Sequence, residues 1–280
     1  MADVRERSGE VGGTLAAWRE ADGPPGRAPV VYVHGSPTHS GDWVPFLQRT
    51  GGLAPDLPGF GRSGKSAAFP YSLEAYGAWL EAFLDDRELD RVSLVMHDLG
   101  CVGLLLAQAA PERVERLVIV NGMPLLPGYR GHRIAHVWRT PLLGELAMAL
   151  TGPHTLRRAT RGAAAGCGPM APELAARVLE AFDHGTQRAI LRLYRSVEPG
   201  QLERLGTRLE AVRCPALVVW GAEDPYVPLA FAHAYARALG GPVRVEEVEG
   251  ASHWPWLDRP EVVALVAGFL LEEGGARGDG

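Results

Sequence analysis

The sequence predicts an α/β fold with a mostly parallel central sheet and an inserted helical cap. Three observations carry that expectation. Short apolar runs of strand length alternate with longer segments of helical spacing, the rhythm of parallel strands covered by helices on both faces. The alternation stops at Asn121-Gly122-Met123-Pro124 and resumes near Val212. The residues with most chemical capacity follow strand-like runs, where open parallel sheets place their sites.

The elements follow in order. Val4 to about Glu20, with a turn region at Gly9 to Gly13, reads as an antiparallel hairpin that the loop Asp22-Gly23-Pro24-Pro25-Gly26 ends. Pro29 to Val33 is a buried strand entering His34-Gly35-Ser36-Pro37, where glycine lets the backbone approach a site occupant. A strand near Leu53 feeds the loop Asp56 to Gly64, which has neither the Lys-Ser/Thr pair of a P-loop nor GxGxxG spacing, so nucleotide binding is set aside. Leu73, Tyr76, Leu80, Phe83 and Leu84 have helical spacing. A strand from Val92 then leads through His97-Asp98 to a helix, and after the break at Pro111 another strand runs from Val114 to Val120.

From 122 to 211 the pattern holds only helices, expected at 133–138, 142–150, 172–182 and 186–195. This stretch is the expected cap domain, and residues 1–121 with 212–280 form the expected core domain. Trp138, Leu142, Leu146 and Ile190 form an apolar stripe that either packs or lines a substrate cavity. Sheet order returns with Ala216 to Trp220, a helix from Ala230, the strand Val243 to Val248 and a last helix from Pro260 to Leu271. The tail from Glu272 to Gly280 is expected to be disordered.

Composition narrows the function. The 280 residues, 46% hydrophobic, suffice for one large core with an added lobe. A net charge of −5 without a basic stripe argues against nucleic acid, and no apolar run approaches the roughly 20 residues of a membrane span. Met1 to Arg7 is too charged for a signal peptide, which makes the cytoplasm the expected location. Cys101, Cys167 and Cys214 are too scattered for a disulfide framework or zinc site, and Cys101 is expected as a small buried residue rather than a nucleophile. His132 and His136 share a helix face, but Arg133 follows the first where a metalloprotease has glutamate, and no third ligand is evident. Neither a metal nor another cofactor is expected.

The chemistry gathers at Val92 to Gly103. Asp98 sits where a strand turns sharply into a helix, a geometry that lifts one side chain above the sheet with the helix N-terminus behind it. Gly100 supplies one small residue; Met96 stands where a second would be usual. Serine is the usual occupant of such an elbow and needs a base to activate it. A carboxylate is ionised at neutral pH and suits attack at a saturated carbon with a leaving group, which leaves an ester on the enzyme. Breaking that ester takes a base for water and donors for an oxyanion. The backbone N–H groups of Ser36 and Leu99 are the candidate donors. Asp224 stands in a turn at a strand's C-terminal end, and His253 is the histidine that follows a late strand on such a loop.

These residues resemble the α/β-hydrolase superfamily, across almost the full chain. The order Asp98, Asp224, His253 matches the fold's nucleophile, acid and histidine. His34-Gly35-Ser36-Pro37 and His97-Asp98-Leu99-Gly100 resemble its aspartate-nucleophile branch, which holds epoxide hydrolases and haloalkane dehalogenases. The resemblance implies catalysis without a cofactor: Asp98 attacks carbon, and His253, oriented by Asp224, activates water. Leu191 to Ser196 is similar to the segment carrying an epoxide-hydrolase cap tyrosine, which makes Tyr194 the candidate acid for the leaving oxygen. Tyr129 is the nearest counterpart of a second tyrosine, with His132 or Trp138 as substitutes; His34, Tyr129 and Trp138 are the expected pocket residues. Leu99 and Ser36 stand where dehalogenases usually carry halide-binding tryptophan and asparagine. The expected function is therefore epoxide hydrolysis of a small apolar substrate with water, by a monomer or homodimer. Haloalkane dehalogenation is the alternative, and a non-hydrolytic binding or rearranging member of the fold the further one.

Overall fold

The computed structural model describes residues 2–152 and 172–272. Eight strands form one sheet: β1 (Arg5–Val11), β2 (Thr14–Ala21), β3 (Val30–Val33), β4 (Gly52–Pro55), β5 (Val92–Asp98), β6 (Val114–Gly122), β7 (Ala216–Gly221) and β8 (Val243–Val248), in the order β1-β2-β4-β3-β5-β6-β7-β8. The hairpin β1–β2 and the β2–β4 pair are antiparallel; every other pair is parallel. Gly12 and Gly13 make the hairpin turn at positive φ, while Gly9 lies within β1, so the turn is tighter than the sequence suggested.

The central strands are apolar on both sides because helices cover both faces. Val31, Val33, Leu94, Met96, Leu117, Ile119 and Val218 pack on one face with Tyr76, Leu80, Leu104 and Tyr235. Their neighbours Tyr32, Val95, Val118, Val120, Leu217 and Val219 pack on the other with Phe46, Leu47, Val266 and Phe269. At roughly 25 cal/mol per Å² of apolar surface buried, this double-sided burial is the main favourable contribution to folding. The helix Val44–Thr50, absent from the periodicity reading, belongs to the second face.

Among the described residues, 123–211 hold no strand. They contain helices Arg133–Arg139, Leu143–Ala149, Pro172–Glu180, His184–Ser196 and Gln201–Leu205, the last not expected from the sequence. Polar contacts tie them to the sheet region. Arg177 donates to the fully buried Asp42 at 2.6 Å, Lys65 pairs with Asp183 at 2.6 Å, and Arg188 and Arg192 donate to the carbonyls of Lys65 and Ala67. The expected apolar stripe divides. Leu142 and Leu146 are 84% and 56% exposed, Ile190 is fully buried in the core, and Trp138 lines the cavity beside Asp98. Helical spacing identifies a shared face; what covers that face depends on packing. Cys167 and the tail from 273 lie outside the described residues.

Candidate active site

The elbow after β5 is strained. Asp98 has φ 45° and ψ −118°, a conformation that costs a non-glycine residue about 1–3 kcal/mol. Its surroundings impose it: the Asp98 carbonyl accepts from Met123 N–H at 3.1 Å, and Oδ2 accepts from Ser36 N–H at 2.9 Å. The chain continues in a 3₁₀ turn, Leu99–Val102, and the helix Gly103–Ala109. A Cβ on Gly100 would meet the Val33 carbonyl at 2.2 Å, so only glycine fits there. Met96 is accommodated because its sulfur occupies the space that a side chain on Gly103 would need. Leu99 opens the turn, whose leading N–H groups have no partner within it.

The loop after β7 carries Asp224 and the loop after β8 carries His253. His253 Nδ1 and Asp224 Oδ2 are 2.7 Å apart. Oδ2 also accepts from Asn121 Nδ2 at 2.6 Å, and Oδ1 accepts from the N–H groups of Tyr226 and Val227 at 2.7 and 3.1 Å. With the carboxylate held by three donors besides the imidazole, Nδ1 is the protonated nitrogen and Nε2 remains the working one. Burial alone would pull the His253 imidazole down; the charge and hydrogen bond of Asp224, with Asp98 behind them, outweigh it and raise its pKa above the ordinary histidine value. His97 fixes the same loop: it is fully buried, held well below the ordinary histidine range by burial, and its Nε2 meets the His253 carbonyl at 2.8 Å.

Above these groups lie two chambers of about 650 and 280 Å³ that share Ser36, Asp98, Tyr129, His132 and Tyr194. Leu99, Met123, Leu126 and Leu193 line the larger; Trp138, Tyr226, His253 and Trp254 line the smaller. Asp98, His253, Tyr194, Ser36, Tyr129 and Trp138 thus meet around one space, and Asp224 stands behind His253. His34 does not join them. It is fully buried below the space, its Nε2 accepting from Leu57 N–H at 2.9 Å and its Nδ1–H donating to the Gly35 carbonyl at 2.8 Å. Both ring nitrogens are spent on shaping the loop, which corrects the expectation that His34 lines the pocket.

The candidate acids differ in what their protons do. Tyr129 donates to the Tyr226 carbonyl at 3.3 Å. Tyr194 has His132 Nε2 at 3.3 Å as its hydrogen-bond partner. Burial, then the nearby Asp98 carboxylate, pushes the Tyr194 phenol well above its ordinary value, so it stays protonated at neutral pH. Cys101 is buried and its thiol is pushed up by burial, which keeps it out of nucleophilic work. Sequence reasoning missed Asn121, Tyr226 and Trp254 as site residues. Asn121 carried a readable signal, a polar residue ending an apolar strand; the other two are apolar-compatible aromatics whose placement depends on the fold.

Residues 30–265 match the alpha/beta hydrolase family. The chain belongs to that family. An uncharacterised protein of Mycobacterium tuberculosis is 30% identical over 92% of this chain and 80% of its own length. Epoxide hydrolase 4 of Mus musculus is 24% identical, over 90% and 76%. The haloalkane dehalogenase DbeA of Bradyrhizobium elkani superposes with a TM-score of 0.79 at 25% identity, over 96% of this chain and 98% of that one. Two of these relatives carry the names of the enzymes its motifs resemble, and its sheet order and helices are those of the α/β-hydrolase fold. It is a hydrolase-family protein, and among the described residues no helix is long and apolar enough to cross a membrane.

Proposed function

We propose that the protein hydrolyses apolar epoxides to diols through an ester on Asp98, with the helices of 122–211 acting as a cap over the site. The observation that carries this reading is Tyr194, a protonated phenol lining the same space as the Asp98 carboxylate, with its oxygen 3.3 Å from His132 Nε2. An opening epoxide needs a proton at its oxygen, whereas a departing halide does not.

Asp98 Oδ2 is held by Ser36 N–H, so Oδ1 is the oxygen left to attack carbon. As the C–O bond of the epoxide breaks, Tyr194 protonates the oxygen. His253, with Nδ1 engaged by Asp224, takes a proton from water through Nε2, and the hydroxide adds to the Asp98 carbonyl carbon. Negative charge then develops on Oδ2, where Ser36 N–H already points and the Leu99 N–H is the second donor. Apolar walls in the larger chamber favour a substrate with a hydrocarbon body.

One observation favours dehalogenation as a second reading. The buried Trp254 indole N–H has no hydrogen-bond partner among the described residues, and Trp254 lines the smaller chamber with Asp98 and His253, so a donor lies beside the space a halide would leave through. Purified protein and its Asp98→Asn variant, given aryl and alkyl epoxides and terminal bromoalkanes, separate the two. Diol that falls by about 10⁴-fold or more in the variant supports epoxide hydrolysis. Bromide without diol refutes it in favour of the second reading.

A further inference from the structure

His132 lies outside the groups that the proposed reaction uses, yet both its nitrogens are engaged in a way that fixes the state of the ring. It is the N-cap residue of the helix Arg133–Arg139, and its Nδ1 accepts from the backbone N–H of Ala135 at 3.1 Å. A backbone N–H only donates, so Nδ1 carries no proton. In the neutral ring the proton is therefore on Nε2, which faces the Tyr194 oxygen at 3.3 Å. Tyr194 is then the acceptor, and its own proton is free for the cavity.

The surroundings keep the ring neutral. Burial lowers the His132 imidazole to about 4, with His253 and His136 acting in the same direction and the carboxylates of Asp98 and Asp224 opposing. The rings of Tyr226, Tyr194 and Trp138 pack against it in T-shaped pairs, at centroid distances of 5.2, 5.9 and 6.2 Å. Protonation would also cost the helix its cap, since an Nδ1–H cannot accept from Ala135.

We propose that His132 is a positioning residue for the ring-opening acid: by capping the helix through Nδ1 it is locked as the Nε2–H tautomer, which turns the Tyr194 proton towards the substrate and receives the negative charge left on Tyr194. This rests on the epoxide reading. When Asp98 bonds to carbon and the epoxide C–O bond breaks, the Tyr194 proton goes to the leaving oxygen and the O–H electron pair stays on the phenolate, which His132 N–H stabilises. Hydrolysis of the ester consumes one water and yields a carboxylic acid; the proton lost as Asp98 ionises restores the phenol. A buried phenol with a raised pKa is a reluctant acid, and a preorganised donor on its oxygen offsets that reluctance.

Two substitutions divide the ring's two roles. His132→Asn keeps an N-cap acceptor but cannot reach Tyr194; His132→Gln reaches towards Tyr194 with a terminal N–H but caps poorly. Single-turnover ester formation on Asp98, followed by intact mass in a His253→Gln background with an aryl epoxide, should fall at least tenfold for His132→Asn with little change in substrate affinity. It should stay within about threefold for His132→Gln, whose melting temperature is the one that drops. The reverse ranking, with Asn silent and Gln impaired, would mean a cap and nothing more and would overturn the proposal. So would ¹⁵N spectra of histidine-labelled protein showing His132 as the Nδ1–H tautomer. If the His253→Gln protein with His132 intact forms no ester with any epoxide, ring opening itself is wrong and the proposal falls with it, whereas ester formed equally with and without the His132 substitutions removes only His132.

Discussion

Asp98 ends β5 and Asp224 and His253 lie in the loops after β7 and β8, whereas Tyr129, His132, Trp138 and Tyr194 come from residues 123–211, and the two groups are held by different kinds of contact. On the sheet side the functional atoms are fixed by backbone groups or short hydrogen bonds: Ser36 N–H to Asp98, Tyr226 and Val227 N–H to Asp224, and the His253 carbonyl to His97, at 2.7 to 3.1 Å. On the helical side the side chains meet each other at 3.3 Å and through edge-to-face rings, such as Tyr194 on Trp138 with centroids 4.8 Å apart. Backbone donors move only if the sheet moves; a side-chain network shifts with any helix that carries it. On the proposed reading, the carboxylate chemistry belongs to the strand ends and their loops, and the leaving-group donor to the helices over them.

Breaking each side in turn should arrest the reaction at a different stage. The largest effect is expected from Asp224→Asn, which leaves the His253 ring without the carboxylate that sets its tautomer. Turnover should fall by about 10⁴-fold, as for the equivalent loss in a Ser-His-Asp triad, while ester still forms and accumulates as a mass increment on Asp98. A variant that neither turns over nor accumulates ester would contradict the division of labour. Tyr194→Phe should cost less, about 10²- to 10³-fold, and in the opposite place: ester formation slows with epoxides and no intermediate builds up. If that variant instead accumulates ester, Tyr194 acts in hydrolysis and belongs with the sheet-side machinery.

The smallest effect sharpens the electrostatic side. Asp98 is among the charges that raise the His253 pKa, so Asp98→Asn should lower the His253 titration midpoint, measured by NMR. The same sign applies within the cycle. Esterifying Asp98 removes its charge, so the midpoint governing ester hydrolysis lies below that of the resting protein. Because His253 must be neutral to accept a proton from water, hydrolysis slows as the pH falls through that lower midpoint. A midpoint that rises in Asp98→Asn would show that His253 does not feel this carboxylate.

Much of the sheet side was legible in the chain because its cues are local. Apolar runs of strand length, the turn at Asp98 and the loop residues Asp224 and His253 each follow from a few consecutive residues. The helical side was legible only as helices. His132 and Trp138 sit on one short helical segment and Tyr194 on another 56 residues beyond Trp138, and no period along the chain says which faces meet. The same limit misassigned His34, which sits in the expected motif but spends both nitrogens on backbone below the cavity, and Leu142 and Leu146, which share an apolar stripe but face outward.

The sequence by itself determined the α/β alternation and the residues that follow the strands, because propensity, period and turn chemistry act between near neighbours. Tertiary structure alone decided that Asn121 braces Asp224, that the Trp254 indole N–H has no partner among the described residues, and that His132 caps a helix through Nδ1 while its Nε2 lies against the Tyr194 oxygen. Those outcomes depend on which hydrogen-bonding groups packing brings within about 3 Å, and on which of them must then donate or accept.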